Sequence, residues 1–235
     1  KIIKLNNPLL KEFKTPYQSA PFNKIKVKHF IPAIKRAIEI ALKEIDAITA
    51  QKETPNFKNT LEKLEKCGEL ISRNTLLLFN LNNAETSDEL QQTTQKASPL
   101  LSKFQNDVRL NEKLFKRIQR VYQNENRNQL SREQITLLEK EYKSFVRNGA
   151  NLPLSSKNKL REIDTELSQL SLTFGEHVLA DTQAFYLYIE KEEDLKGLPP
   201  SIIEMAAEEA RSREKIGWVF TLDYPSYVPF MTYAE

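Results

Sequence analysis

A chain of 235 residues with 40% apolar and 29% charged side chains has a soluble, globular profile and is long enough to bury a core without covalent staples. Its net charge of +3 comes from 35 basic and 32 acidic residues mixed along the chain, which excludes the basic stripe of a nucleic-acid binder. No apolar run approaches membrane-span length, and the single cysteine excludes an internal disulfide. Without a visible signal peptide the chain reads as cytoplasmic. It starts at Lys1 rather than a methionine, so the periplasm is the alternative if a leader has been removed.

The first strong pattern is helical. "NKIKVKHF" (23–30) reads as an extended, solvated segment with Ile25 and Val27 turned inward. Phe30, Ile34, Ala37, Ala41, Ile45 and Ile48 then recur at steps of three and four and define one buried helix face. A second helix is predicted from Phe57 through Leu61, Leu64 and Ile71 to Leu78. A third starts after Ser87 as N-cap and runs through Leu90, Ala97, Leu101, Phe104 and Val108, with a kink or break expected at Pro99. "LNEKLFKRIQRVY" gives a fourth helix from Asn111, and the polar run at 123–129 a loop. Ser131 and Gln134 form a capping-box pair that opens a fifth, which Gly149 can end in a left-handed conformation.

The sixth helix, capped by Ser155 or Ser156, is the longest. Leu160, Ile163, Leu167, Leu170, Phe174 and Val178 form a narrow seam of the kind found where two helices lie side by side. About six helices on short loops read as an antiparallel array, so the fold class is mainly α. The pattern changes near residue 185. "AFYLYIE" and "GWVFTLD" read as strands flanking a helix, "SIIEMAAEEARSR", and Pro225 and Pro229 interrupt any strand beyond. This divides the chain into a helical domain, 1–184, and a small strand–helix–strand segment, 185–235. Two strands alone are marginal, so the segment needs a third strand or a covering surface from outside the chain.

Chemistry is harder to find. The only histidines, His29 and His177, are far apart in sequence, and the H-E-x-x-H turn of a zinc peptidase is absent. No G-x-S-x-G elbow occurs, and the five glycines are too scattered for a phosphate loop. Cys67 reads as a small core residue, and the acidic runs as solvated faces. The terminal aromatics are the remaining feature: Tyr224, Tyr227 and Tyr233 are candidates to line a peptide groove, with core or interface packing as the alternative. Such an apolar chain end needs something to pack against.

Seven motifs occur in an order that adds a further expectation: "NPLL" with "TPYQSAPFNKIKVKHFIPAIKRAI", "NFKNTLEKLEKCGELISR", "LFNLNNAETSDELQ", "FVRNGANL", "LTFGEHVLADTQAF", "DLKGLPPSIIEMAAEEA" and "WVFTLDYPSYVPFMTYA". Together, over about residues 6–235, the chain resembles the N-terminal part of the thimet-oligopeptidase-type zinc metallopeptidases, in their bacterial peptidyl-dipeptidase and oligopeptidase A branch. The resemblance implies a mainly helical protein split by a deep channel with zinc at its floor, cleaving short unfolded peptides. The family's metal ligands and catalytic glutamate have no counterpart here, so no catalytic or metal residue is carried over. The expectation is a non-catalytic segment that forms one wall of the channel and pairs with a C-terminal catalytic domain of the same polypeptide. Zinc would belong to the full-length enzyme and not to this segment. A freestanding helical interaction module, binding a partner through its aromatic end, is the other reading.

Overall fold

A computed structural model describes residues 7–235; residues 1–6, the start of the expected first domain, lie outside the described part. The chain is mainly α-helical, with one two-stranded antiparallel sheet. It divides into two compact units on either side of the Gln169–Leu170 bond.

In the first unit, helix α1 (Phe30–Thr49) is the central element. Its buried residues are the six read from the sequence together with Ala33. The alanines allow close approach of α3 (Glu69–Ala84) and α4 (Asp88–Arg109), while the isoleucines fill the space between helices. Each large aliphatic residue buried in this way contributes about 1.5–3 kcal/mol. Ser87 caps α4 as expected, accepting from the Leu90 N–H at 3.3 Å. The expected break at Pro99 does not occur: α4 runs through it as one helix. Ala97 and Ser98 are buried beside it, so tertiary packing outweighs the lost backbone bond.

The single helix predicted over residues 57–78 is in fact broken. Phe57–Leu61 form a π-type turn, α2 covers only Glu62–Glu65, and α3 starts after Gly68, which is left-handed at φ +78°. The apolar periodicity crosses this break because the pieces on both sides face cores of the same unit. "NKIKVKHF" also differs from its extended reading. It forms two short 3-10 turns, Phe22–Lys24 and Val27–His29, although Ile25 and Val27 do pack inward.

Helix α5 (Glu112–Asn124) is capped by Asn111, and α6 (Arg132–Arg147) by the reciprocal Ser131–Gln134 box, both as expected. Phe115, Tyr122, Tyr142 and Phe145 stack across the pair, with the two tyrosine rings 4.0 Å apart. Gly149, at φ +86°, ends α6 in a Schellman motif: the Ala150 N–H donates to the Phe145 carbonyl and the Gly149 N–H to that of Val146. Helix α7 (Leu154–Ala184) begins two or three residues earlier than capping by Ser155 or Ser156 would give. The Pro153 carbonyl accepts from Lys157 N–H, and both serines lie inside the first turn. Apart from Lys157, none of its described side chains is buried.

In the second unit, β1 (Tyr186–Ile189) pairs antiparallel with β2 (Trp218–Thr221), Tyr186 opposite Thr221 and Ile189 opposite Trp218. Helix α8 (Pro200–Ser212) covers them, packing Ala206, Ile202 and Ile203 against Ile189 and Phe220. The expected need for an outside cover is thus met in part by the chain's own α8. The last segment forms a helix, α9 (Tyr224–Tyr233), rather than an irregular tail. Pro225 sits in its first turn, where no N–H partner is required, and Pro229 lies inside it; among the described residues no strand follows β2, in line with the reading of these prolines.

Candidate functional site

The aromatic C-terminal stretch is mounted firmly on the second unit. Phe230 turns inward, its ring 4.7 Å from that of Phe220. At the start of α9 the Thr221 N–H donates to Ser226 Oγ at 2.9 Å, and the Asp223 carbonyl accepts from the N–H groups of Ser226 and Tyr227. At the other end the Glu235 N–H donates to the Lys196 carbonyl at 3.1 Å, and the Lys196 ammonium pairs with the Glu235 carboxylate. Gly197 makes this closure possible. It is left-handed at φ +88°, and a Cβ there would lie 2.1 Å from the Tyr233 carbonyl oxygen.

With Phe230 half-buried, the remaining aromatics of α9 are turned to solvent. Tyr224, Tyr227 and Met231 lie at i, i+3 and i+7, which places them on one face of α9. Tyr224 is 77% exposed, and the other two are also open. Tyr233 is exposed but stands on the opposite side of the helix, because nine residues amount to two and a half turns. The three tyrosines named from sequence therefore divide into a pair that shares a face with Met231 and one that stands apart.

Among the described residues no three His, Cys, Asp or Glu side chains are grouped to hold a metal ion. His29 Nδ1 already accepts the Lys26 N–H at 3.1 Å, and His177 lies exposed on α7. The residues present do not fit zinc. Cys67 lies half-buried in the turn between α2 and α3, its Sγ donating to the Lys63 carbonyl at 3.1 Å. Burial pushes its thiol up to about 11, and the neighbouring Glu44 carboxylate adds to the effect. At neutral pH it is a protonated thiol, not a nucleophile.

Among the shallow cavities of the first unit, which the sequence did not signal, two share Arg109 in their walls. One, of about 260 Å³, is lined by Ile45, Leu64, Cys67, Phe104 and Val108 and closed by the Arg109–Glu141 ion pair at 2.7 Å. The other, of about 420 Å³, has a mixed wall in which Phe79 and Leu101 stand beside Thr75, Asn106, Arg109 and Asp164. Neither holds a paired nucleophile and base. Several motif residues instead hold the fold together. Asn7 of "NPLL" donates to the His29 carbonyl at 2.7 Å and accepts from Leu9 N–H. Arg73 of "CGELISR" donates to the carbonyls of Leu9 and Lys11, with its guanidinium 4.2 Å from the Phe13 ring centre.

The described residues thus form a helical unit and a small sheet-and-helix unit that carries an open tyrosine face. No family model matches the chain. Over 207 residues, 88% of the chain, it is 36% identical to the dipeptidyl carboxypeptidase of Salmonella typhimurium. It is 29% identical over 231 residues to oligopeptidase A of Escherichia coli, and 29% identical over 197 residues to a thimet-like oligopeptidase of Dictyostelium discoideum. The chain spans about a third of the length of these relatives: 30%, 33% and 28% in turn. It belongs to the thimet-oligopeptidase family, in the branch of the dipeptidyl carboxypeptidases and oligopeptidases A.

Proposed function

We propose that this chain is the non-catalytic N-terminal part of a zinc-dependent peptidase that hydrolyses short peptides, as a peptidyl-dipeptidase or an oligopeptidase, and that it forms one wall of the substrate channel. The observation that carries this reading is the extent of the similarity. It covers 88–98% of the chain in the bacterial peptidases but only 30–33% of their length. Zinc ligands and the water-activating base are assigned to the remaining polypeptide, and the wall supplies shape and apolar contact rather than bond-breaking groups.

Tyr224 and Tyr227 are the residues proposed to face peptide. An open aromatic face on a well-anchored helix offers broad contact area with little side-chain entropy to lose. Tyr233, on the other side of α9, is proposed to contact the missing catalytic part. The test compares the full-length product of the same reading frame with the 235-residue chain. The full-length protein should hydrolyse short peptides and lose that activity to a chelator, while the shorter chain should do neither. In the full-length enzyme, Tyr227→Ala should raise KM several-fold, on the order of 1 kcal/mol of lost contact, with kcat little changed. Chelator-sensitive hydrolysis by the shorter chain would reject the reading.

A further inference from the structure

We propose that the seam of α7 from Leu170 to Val178 seats an α-helix of the same polypeptide that lies outside these 235 residues. Leu170, Phe174 and Val178 are 56%, 70% and 48% exposed on one line of the second unit. They continue a run of three- and four-residue steps that begins at Leu160, the spacing at which one helix accepts the side chains of another into the gaps between its own. A solvated helix face gains nothing from such alignment, whereas an apolar stripe this regular is matched by a second helix crossing at a shallow angle.

Gly175 is an independent observation. It sits in the middle of α7, where glycine is the poorest helix former after proline, yet it serves no turn and its φ is not left-handed. A Cβ placed there would meet no atom within 4 Å. A glycine inside a helix, with open space beside it, leaves room for another backbone to come close. Phe174 and Gly175 together offer a knob and an adjoining flat surface.

The occupant is taken to be the same polypeptide because the relatives matched over most of this chain are about three times its length. The inference therefore rests on the reading that the chain is part of a longer peptidase. A second copy of the chain is the rival occupant.

The test places Phe174→Cys or Leu154→Cys in a Cys67→Ala background and compares maleimide labelling in the 235-residue chain and the full-length product. Leu154, 74% exposed on the first unit and outside the seam, is the control. Phe174→Cys should label at least about tenfold more slowly in the full-length protein, and Leu154→Cys at the same rate in both. Amide hydrogen exchange over 170–178 in the unsubstituted proteins should slow in parallel. Equal labelling of Phe174→Cys in the two proteins, in a full-length product that hydrolyses peptides, would overturn this inference and leave the peptidase reading intact. Protection that appears in the shorter chain alone and deepens with its concentration would assign the seam to a second copy and overturn it too. A reading frame that stops at Glu235 would overturn both.

Discussion

Cys67 shows how the fold keeps a thiol protonated. Burial disfavours its thiolate and Glu44 adds an adjacent negative charge, so the thiol titrates near 11 instead of at its ordinary 9.0. Folding thus holds the proton more tightly than the unfolded chain does. The stability from this group is intact below about pH 9 and is lost as the pH rises towards 11. Alkylation by iodoacetamide should therefore keep accelerating up to about pH 11, and Glu44→Gln should shift the whole profile to lower pH. A plateau already reached by pH 9 would contradict this account. Arg117 is a second residue whose role only the structure reveals. It is 7% exposed and donates to the carbonyls of Gln51 and Glu53 and, at 3.1 Å, to Asn59 Oδ1. Asn59 itself closes the Asn56 cap and donates to the Thr54 carbonyl at 2.9 Å. Arg117→Met takes the donor from the buried Asn59 Oδ1 and from two part-buried carbonyls at once. It should cost about 2–4 kcal/mol in urea unfolding, with Arg117→Lys recovering only a fraction because one ammonium cannot span the same three sites.

At the scale of elements, legibility followed the locality of the physics. The face of α1, the Ser87 and Asn111 caps, the Ser131–Gln134 box and the left-handed Gly149 were all readable, because each depends on residues within a few positions of one another. What was not readable depended on distant partners. The helix drawn from Phe57 to Leu78 hid the break at Gly68, since periodicity does not register a change of direction when both pieces stay buried. Pro99 was read as a kink or a break, and the packing of Ala97 and Ser98 holds α4 together across it as one helix. Pro99→Ala should then stabilise the protein by about 1–3 kcal/mol by restoring the missing backbone donor, measured as a raised urea midpoint with unchanged slope. Gly197 makes the opposite case. With the Tyr233 carbonyl in the space a Cβ would take, Gly197→Ala must release the end of α9. Trp218, the only tryptophan, packs in the same cluster as Phe230 and reports the event. Its emission should shift to the red in Gly197→Ala while helix content barely changes. An unshifted spectrum would show that α9 is held by Phe230 alone.

For the molecule as a whole, the described part is a folded scaffold with apolar surface left uncovered. The candidate site was legible only as composition: the terminal aromatics were visible, but not that Pro225 opens a helix and sends Phe230 inward while leaving Tyr224, Tyr227 and Met231 outward. Likewise the α7 seam was legible as a spacing, but not that its described residues beyond Leu160 all stay exposed. Exposed apolar rows of this kind bind amphipathic dyes, since transfer from water is favourable wherever a pocket or stripe admits a ring. The 235-residue chain should therefore enhance dye fluorescence while fully folded, which separates the effect from unfolding. Phe174→Glu and Leu170→Glu should remove part of the signal, and Tyr224→Ser with Met231→Ser another part, each additively because the sets occupy different helices. Because all four side chains are more than 50% exposed, the substitutions should change folding stability by no more than about 0.5 kcal/mol. The full-length protein should lack the part of the signal that Phe174→Glu and Leu170→Glu remove from the chain. Dye binding that survives all four substitutions would place the exposed apolar surface elsewhere and remove the reason for assigning one face to a helix and the other to peptide.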